Sequence, residues 1–151
     1  VHQPTLQIKR LSPRAALPQY QTNGAAGLDL AACLPEDHAV LEVPPGAIVR
    51  VPTGLAIAVP PGYEAQVRAR SGLSTKHGLT TINGVGTIDS DYRGELQVAL
   101  INLGREPFSI SHAMRVAQLV IAPVARAEVH EVKELDSTER GSGGFGSTGA
   151  H

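Results

Sequence analysis

The chain is nearly devoid of aromatic residues, with no tryptophan, three tyrosines and two phenylalanines among 151 residues. Its core must therefore be aliphatic, and each of Tyr20, Tyr63, Tyr92, Phe108 and Phe145 needs a specific reason to be present. A single cysteine, Cys33, leaves no internal disulfide to form. No apolar run approaches the roughly 20 residues of a membrane-spanning helix, and the N-terminal stretch lacks the apolar centre of a secretion signal. A soluble protein in a reducing, cytoplasmic setting is the expectation. Charge of one sign is also in short supply: 13 Lys and Arg against 14 Asp and Glu give a formal net charge of -1. There is no electrostatic footprint for a nucleic-acid backbone or an anionic membrane, so a polyanionic ligand must be met by a few placed cations. The six histidines, at positions 2, 38, 77, 112, 130 and 151, have no paired spacing of the kind that builds a zinc site and are read as structural or surface residues.

Glycine (16), proline (11) and small aliphatic side chains are plentiful, and 42% hydrophobic content is enough for one core. The periodicity is that of strands. Leu55, Ile57 and Val59 alternate with small residues, Ala65 and Val67 with Glu64, Gln66 and Arg68, and Leu96, Val98 and Leu100 with Gln97 and Ala99. Leu6 to Lys9, Ala47 to Val51, Val116 to Ala122 and Glu128 to Val132 are further strand candidates. Pro44-Pro45-Gly46, Pro60-Pro61-Gly62, Asn102 to Gly104 and Pro123 punctuate these runs at the spacing of a sandwich or barrel. The class is all-β, a single jelly-roll domain, with Ser71 to His77 as the one candidate helical turn. From about Asp136 the periodicity stops, which divides the chain into a domain over residues 1–136 and a flexible Gly-rich arm over 137–151. A plain tail is the alternative; Arg140 and Phe145 argue against it.

Several segments carry chemistry. Gly141 to Thr148 lacks the lysine of a Walker A loop and has no strand before it or helix after it, so a P-loop domain is excluded. Its glycine backbone can still present several N–H groups to an anion, with hydroxyls and Arg140 beside them. Asn83 to Glu95 reads as a hairpin in which Asp89, Asp91 and Glu95 stand near Tyr92 and Arg93, and a carboxylate there can take a proton from water. An acidic surface hairpin paired with Arg93 is the plainer alternative. Asp29 lies in a short apolar run, as either a capped turn or a site carboxylate. Arg70 and Ser71 open the helical turn, Ser71 as either an N-cap or an anion ligand. Gln118 is a lone amide in an apolar strand and must find a hydrogen-bond partner if buried.

In this order the patches resemble the five motifs of the trimeric dUTPase family: Ala26 to Leu30, Arg70 to Leu73, Gly86 to Glu95 with Asn83, Arg115 to Leu119, and Arg140 to Gly149. Gly-Thr-Ile-Asp-Ser-Asp-Tyr-Arg-Gly-Glu and Arg-Gly-Ser-Gly-Gly-Phe-Gly-Ser-Thr-Gly are the most specific. Ala69 stands where the family often has proline, and Ala113-Met114 where glycine and an acidic residue are common. The resemblance implies a jelly-roll homotrimer with shared active sites that hydrolyses dUTP to dUMP and pyrophosphate with Mg²⁺. Such an activity keeps uracil out of DNA and supplies dUMP for thymidylate synthesis.

The same resemblance assigns roles. Asp89 activates a water against the α-phosphorus, and Asp29 holds a triphosphate-bound Mg²⁺ through water. Arg70, Ser71, Gly72 and Gln118 grip the α- and β-phosphates; Arg140, Ser147 and Thr148 grip the γ end. Uracil meets backbone at about Val85 to Ile88, including Gly86, Thr87 and Ile88, together with Asn83. Tyr92 lies where a 2′-hydroxyl would clash, and Phe145, followed by Gly146, stacks on the base as the arm closes. A dCTP deaminase of similar fold and a catalytically idle nucleotide-binding module are the competing readings; ammonia release from dCTP and pyrophosphate release from dUTP separate them.

Overall fold

The computed structural model describes residues 3–147. In chain order the strands are β1 (Gln7–Arg10), β2 (Leu28–Ala31), β3 (Val40–Val43), β4 (Ile48–Ala58), β5 (Tyr63–Ala69), β6 (Leu79–Thr81), β7 (Val85–Ile88), β8 (Glu95–Asn102), β9 (Phe108–Ser111) and β10 (Arg115–Pro123). A short helix, α1 (Ser71–His77), follows β5, where the helical turn was expected, and a 3-10 turn spans Glu36–His38. Two four-stranded antiparallel sheets, β1-β4-β8-β6 and β2-β10-β5-β7, face each other, with a ribbon of β3 and β9 beside them. This is the all-β jelly-roll class read from the alternation. The inward row is aliphatic: Leu30, Val51, Val67, Leu96, Val98, Leu100 and Leu119 are each buried, and each such side chain contributes about 1.5–3 kcal/mol. Tyr63 and Phe108 pack against this core only half-buried.

Four expectations need correction. Ala47 to Val51 and Leu55 to Val59 are not separate: β4 runs through Pro52-Thr53-Gly54, with its register against β8 shifting between Pro52 and Ala56. The bulge is stabilised locally, since the Thr53 hydroxyl donates to the Leu96 carbonyl and Gly54, at φ +67, leaves room for Ala15 and Cys33. Second, Asn83 to Glu95 is no hairpin. β7 pairs with β5 while β8 pairs with β4 and β6, so residues 89–94 cross from one sheet to the other. Third, Glu128 to Val132 joins no sheet, and Val129 is 92% exposed. Fourth, the N-cap of α1 is Arg70, not Ser71, and no side chain caps it. Strands β2, β3, β6 and β9 escaped notice because three or four residues are too few for a period to declare itself.

The turn Ser111–Met114 explains one departure from the family pattern. Met114 N–H donates to the Ser111 carbonyl, and Ala113 sits at φ 66, the left-handed region that costs a non-glycine residue about 1–2 kcal/mol. Ala113 is exposed, so its methyl packs on little. Ala113→Gly is expected to raise stability by about 0.5–1 kcal/mol, the relief of strain exceeding the added unfolded-state entropy. Urea midpoints at one protein concentration measure it; a midpoint unchanged or lowered refutes the strain.

Candidate active site

Strand β5 organises the site because both of its edges are used. β7 lies on one side with Ala65 opposite Ile88 and Arg68 opposite Val85. β10 lies on the other with Gln118 opposite Arg68, and β2 beyond it with Asp29 opposite Gln118. Asp89 and the group of Asp29, Arg70, Ser71 and Gln118 therefore lie toward opposite ends of β5, with Gly86 and Thr87 along β7 between them.

At the first end is Asp89, one step past Ile88 and beside Glu64 in a hollow of about 390 Å³. A second hollow of about 260 Å³ is lined by Thr87, Ile88, Asp89 and Tyr92. The larger one carries Glu64, Asp89 and Asp91 beside Arg126, and the smaller one Asp89 and Glu95, so both are acidic and charge does not choose between them; the Tyr92 ring lines only the smaller. Among the described residues no hydrogen bond or ion pair engages the Asp89 carboxylate, which leaves it free for water. Glu95 differs: its Oε1 accepts the Gly54 N–H at 2.9 Å. Arg93 pairs with no carboxylate among the described residues, its guanidinium donating instead to the carbonyls of Ser90 and Tyr92. Asn83 follows β6 in a turn closed by the Gly84 N–H on the Thr81 carbonyl. Gly86 is buried between the Asn83 amide and Val67, where a Cβ would stand 3.1 Å from Asn83 Nδ2 and 3.3 Å from Val67 Cβ. β7 is an edge strand of its sheet, so one row of its N–H and C=O groups faces away from β5.

At the second end Asp29 is largely buried and pairs with Arg115 Nη1 at 2.9 Å and Arg70 Nε at 3.6 Å. Arg70 also donates to the Arg115 carbonyl at 3.0 Å. Gln118 finds its partner, Nε2 donating to the Ala69 carbonyl at 3.0 Å, and its Oε1 packs against Gly27. Ser71 and Gly72 are exposed at the start of α1, and a Cβ on Gly72 would meet nothing within 4 Å. Nothing in the chain itself requires glycine there. Arg115, placed by the fourth motif but given no role from the sequence, is the cation that ties Asp29 to β10. Among the described residues no group of three or more His, Cys, Asp or Glu side chains could enclose a metal ion. Asp29 has both of its carboxylate oxygens facing guanidinium groups.

Among the described residues no hydrogen bond or ion pair ties the arm to either end. Arg140 Nε donates to the Gly143 carbonyl, the Ser147 N–H donates to Gly144, and the Phe145 ring is wholly exposed. Gly146 continues the arm at φ 88, and Thr148 lies outside the described residues. Of the histidines, His112 Nδ1 accepts the Leu34 N–H and His77 packs on Phe108, while His2 and His151 are outside the described range.

Comparison with known proteins places these two ends in a family context. The dUTPase family model matches residues 13–149. A deoxyuridine 5'-triphosphate nucleotidohydrolase of Beijerinckia indica is 56% identical over 148 residues, covering 97% of this chain and 92% of the relative. Among solved structures, a mutant Staphylococcus bacteriophage 80alpha dUTPase with dUpNHpp superposes with a TM-score of 0.82 at 29% identity, covering 96% of this chain and 98% of that one. A mutant dUTPase from phage phi11 of S. aureus, described with a structural Mg(II) ion, gives 0.78 at 25% identity over 88% of this chain and 99% of that one. With all five motifs inside the matched range and more than half the residues shared with a relative of nearly equal length, this chain belongs to the dUTPase family.

Proposed function

We propose that the chain hydrolyses dUTP to dUMP and pyrophosphate in a homotrimer whose sites are each built from more than one copy. The observation that carries the shared site is the register of β5. Asp89 lies beside Glu64, whereas Arg70 lies just past Ala69 at the other end. Six residues at about 3.3 Å each separate them by roughly 20 Å. A base that deprotonates the attacking water must sit within one water of the α-phosphorus. The groups suited to grip phosphate, Arg70, Ser71 and Gln118, therefore serve the Asp89 of another copy. Exposed apolar residues after β10, Val129, Val132 and Leu135, fit burial against neighbouring copies.

Uracil is read at the free edge of β7 by backbone groups of Gly86, Thr87 and Ile88 with the Asn83 amide; cytosine, with its donor and acceptor reversed, leaves them unpaired at about 1–3 kcal/mol each. Tyr92 lies along the deoxyribose. Asp89 orients the water and takes its proton, while Arg70, the Ser71 hydroxyl, the Gly72 N–H and the Gln118 amide receive charge on the phosphoryl oxygens. Asp29 holds, through water, a Mg²⁺ that supplies further charge neutralisation to the triphosphate when bound. Arg140, Ser147 and Thr148 meet the γ-phosphate, and Phe145 covers the base as the arm, residues 137–151, closes and excludes water.

Asp89→Asn is expected to lower kcat by about 10² or more with dUTP affinity nearly kept, because the amide retains shape but takes no proton. Pyrophosphate release and equilibrium binding check it; wild-type turnover moves the base to Asp91. Mixing equal amounts of Asp89→Asn and Ser71→Ala subunits through denaturation and refolding is expected to restore about a quarter of wild-type activity, since each mixed trimer rebuilds some intact sites. Recovery no greater than the two parents' own activities places both residues of one site on one chain. Deleting 139–151 is expected to leave melting within a few degrees of wild type and to lower the rate by at least about 10², because little burial but several donors are lost. A truncated protein with the full rate makes the segment a plain tail.

A further inference from the structure

Between Asp89 and β8 the backbone turns through a network that ends on Gly94 and Glu95. The Tyr92 N–H donates to the Asp89 carbonyl, closing the turn. The Arg93 guanidinium holds the carbonyls of Ser90 and Tyr92, each at 2.8 Å. The Tyr92 hydroxyl folds back to donate to the Glu95 carbonyl at 3.0 Å. Glu95 is itself fixed, its carboxylate accepting the N–H of Gly54 on the β4 bulge at 2.9 Å. In this arrangement the phenol lies over Gly94: a Cβ there would stand 2.6 Å from Tyr92 Cζ and 3.0 Å from Cε2, with the hydroxyl oxygen nearer still.

We propose that Gly94 is a positioning residue for sugar selection: its bare α-carbon is the bed on which the Tyr92 ring rests, and Glu95, latched to Gly54, holds the ring's hydroxyl. The proposal rests on Tyr92 reading the deoxyribose. The three atoms that a Cβ at position 94 would meet most closely all belong to the Tyr92 side chain. A methyl at position 94 therefore meets the ring first and displaces it. Sugar discrimination accordingly depends on a residue that touches no substrate. Glu95 fits the same account, since of the three neighbouring carboxylates it is the one whose oxygens are committed to the protein.

The test is the ratio of kcat/KM for dUTP over UTP, with thermal melting, in Gly94→Ala, Tyr92→Ala and the double variant. Gly94→Ala is expected to lower the ratio by about fivefold or more at an unchanged melting temperature, and to lower it no further in the Tyr92→Ala background. Tyr92→Phe, which keeps the ring but frees it from Glu95, is expected to give a smaller fall in the same direction. A Gly94→Ala ratio equal to wild type beside a lowered Tyr92→Ala ratio overturns the positioning role and leaves the function standing. Loss of folding in Gly94→Ala overturns it too, because the strain would then fall on the backbone. If Tyr92→Ala itself keeps the wild-type ratio while dUTP is hydrolysed, sugar is read elsewhere and both the bed and its premise fall.

Discussion

The pairing of β5 along both edges is the constraint from which the rest follows. A strand hydrogen-bonded on both sides cannot bend to bring its ends together, so whatever is mounted at Glu64 and at Arg70 stays a strand's length apart. β7 and the crossing segment deliver Asp89 and Tyr92 to one end; β10, β2 and α1 deliver Gln118, Asp29 and Ser71 to the other. The fold thus mounts two sets of polar groups a strand's length apart, which supports the proposed sharing of each site between copies. The thin aliphatic core accords with this, since a small domain without large buried aromatics gains from burying surface elsewhere.

The same chemical group has three fates within this short chain, and partners decide among them. Glu95 is drawn to the unpaired N–H that the β4 bulge leaves at Gly54, so its charge serves the fold. Asp29 is drawn to Arg115 and Arg70, where its charge holds in place the cations suited to phosphate. Asp89 is drawn to nothing among the described residues, and an uncommitted carboxylate at the wall of a hollow is what proton abstraction requires. Residue type alone would not have ranked them.

What the sequence made legible was what repeats or punctuates. Alternation at Ala65 to Arg68 and Leu96 to Leu100 gave true strands, and the two Pro-Pro-Gly tripeptides end in glycines at positive φ, closed by Ala47 and Tyr63 N–H groups on Pro44 and Pro60. The motif match gathered the site residues, but pattern alone could not tell a hairpin from a crossing between sheets, because β7 and β8 alternate alike whether or not they pair. Pro52 and Gly54 looked like a break, since a bulge and a turn use the same residues. Ala113 shows the converse: its departure from the family pattern was visible at once, yet its cost waited for the backbone angle. Arg115, too, gained a role only when β2 was seen beside β10.

The segment after Pro123 has one more consequence. Residues 124–147 are exposed nearly throughout and carry Arg126, Lys133 and Arg140 on chain that no sheet protects. Trypsin acts on such chain wherever a basic side chain is accessible, and it spares basic residues inside a folded sandwich. Clipping after Arg140 sheds the Phe145 turn and little else, so a brief digest of the unaltered protein separates keeping its shape from doing its work. On the proposed closure, an arm held down on a nucleotide would resist the same enzyme, which makes a protease, with no label and no substitution, a test of whether the arm closes at all.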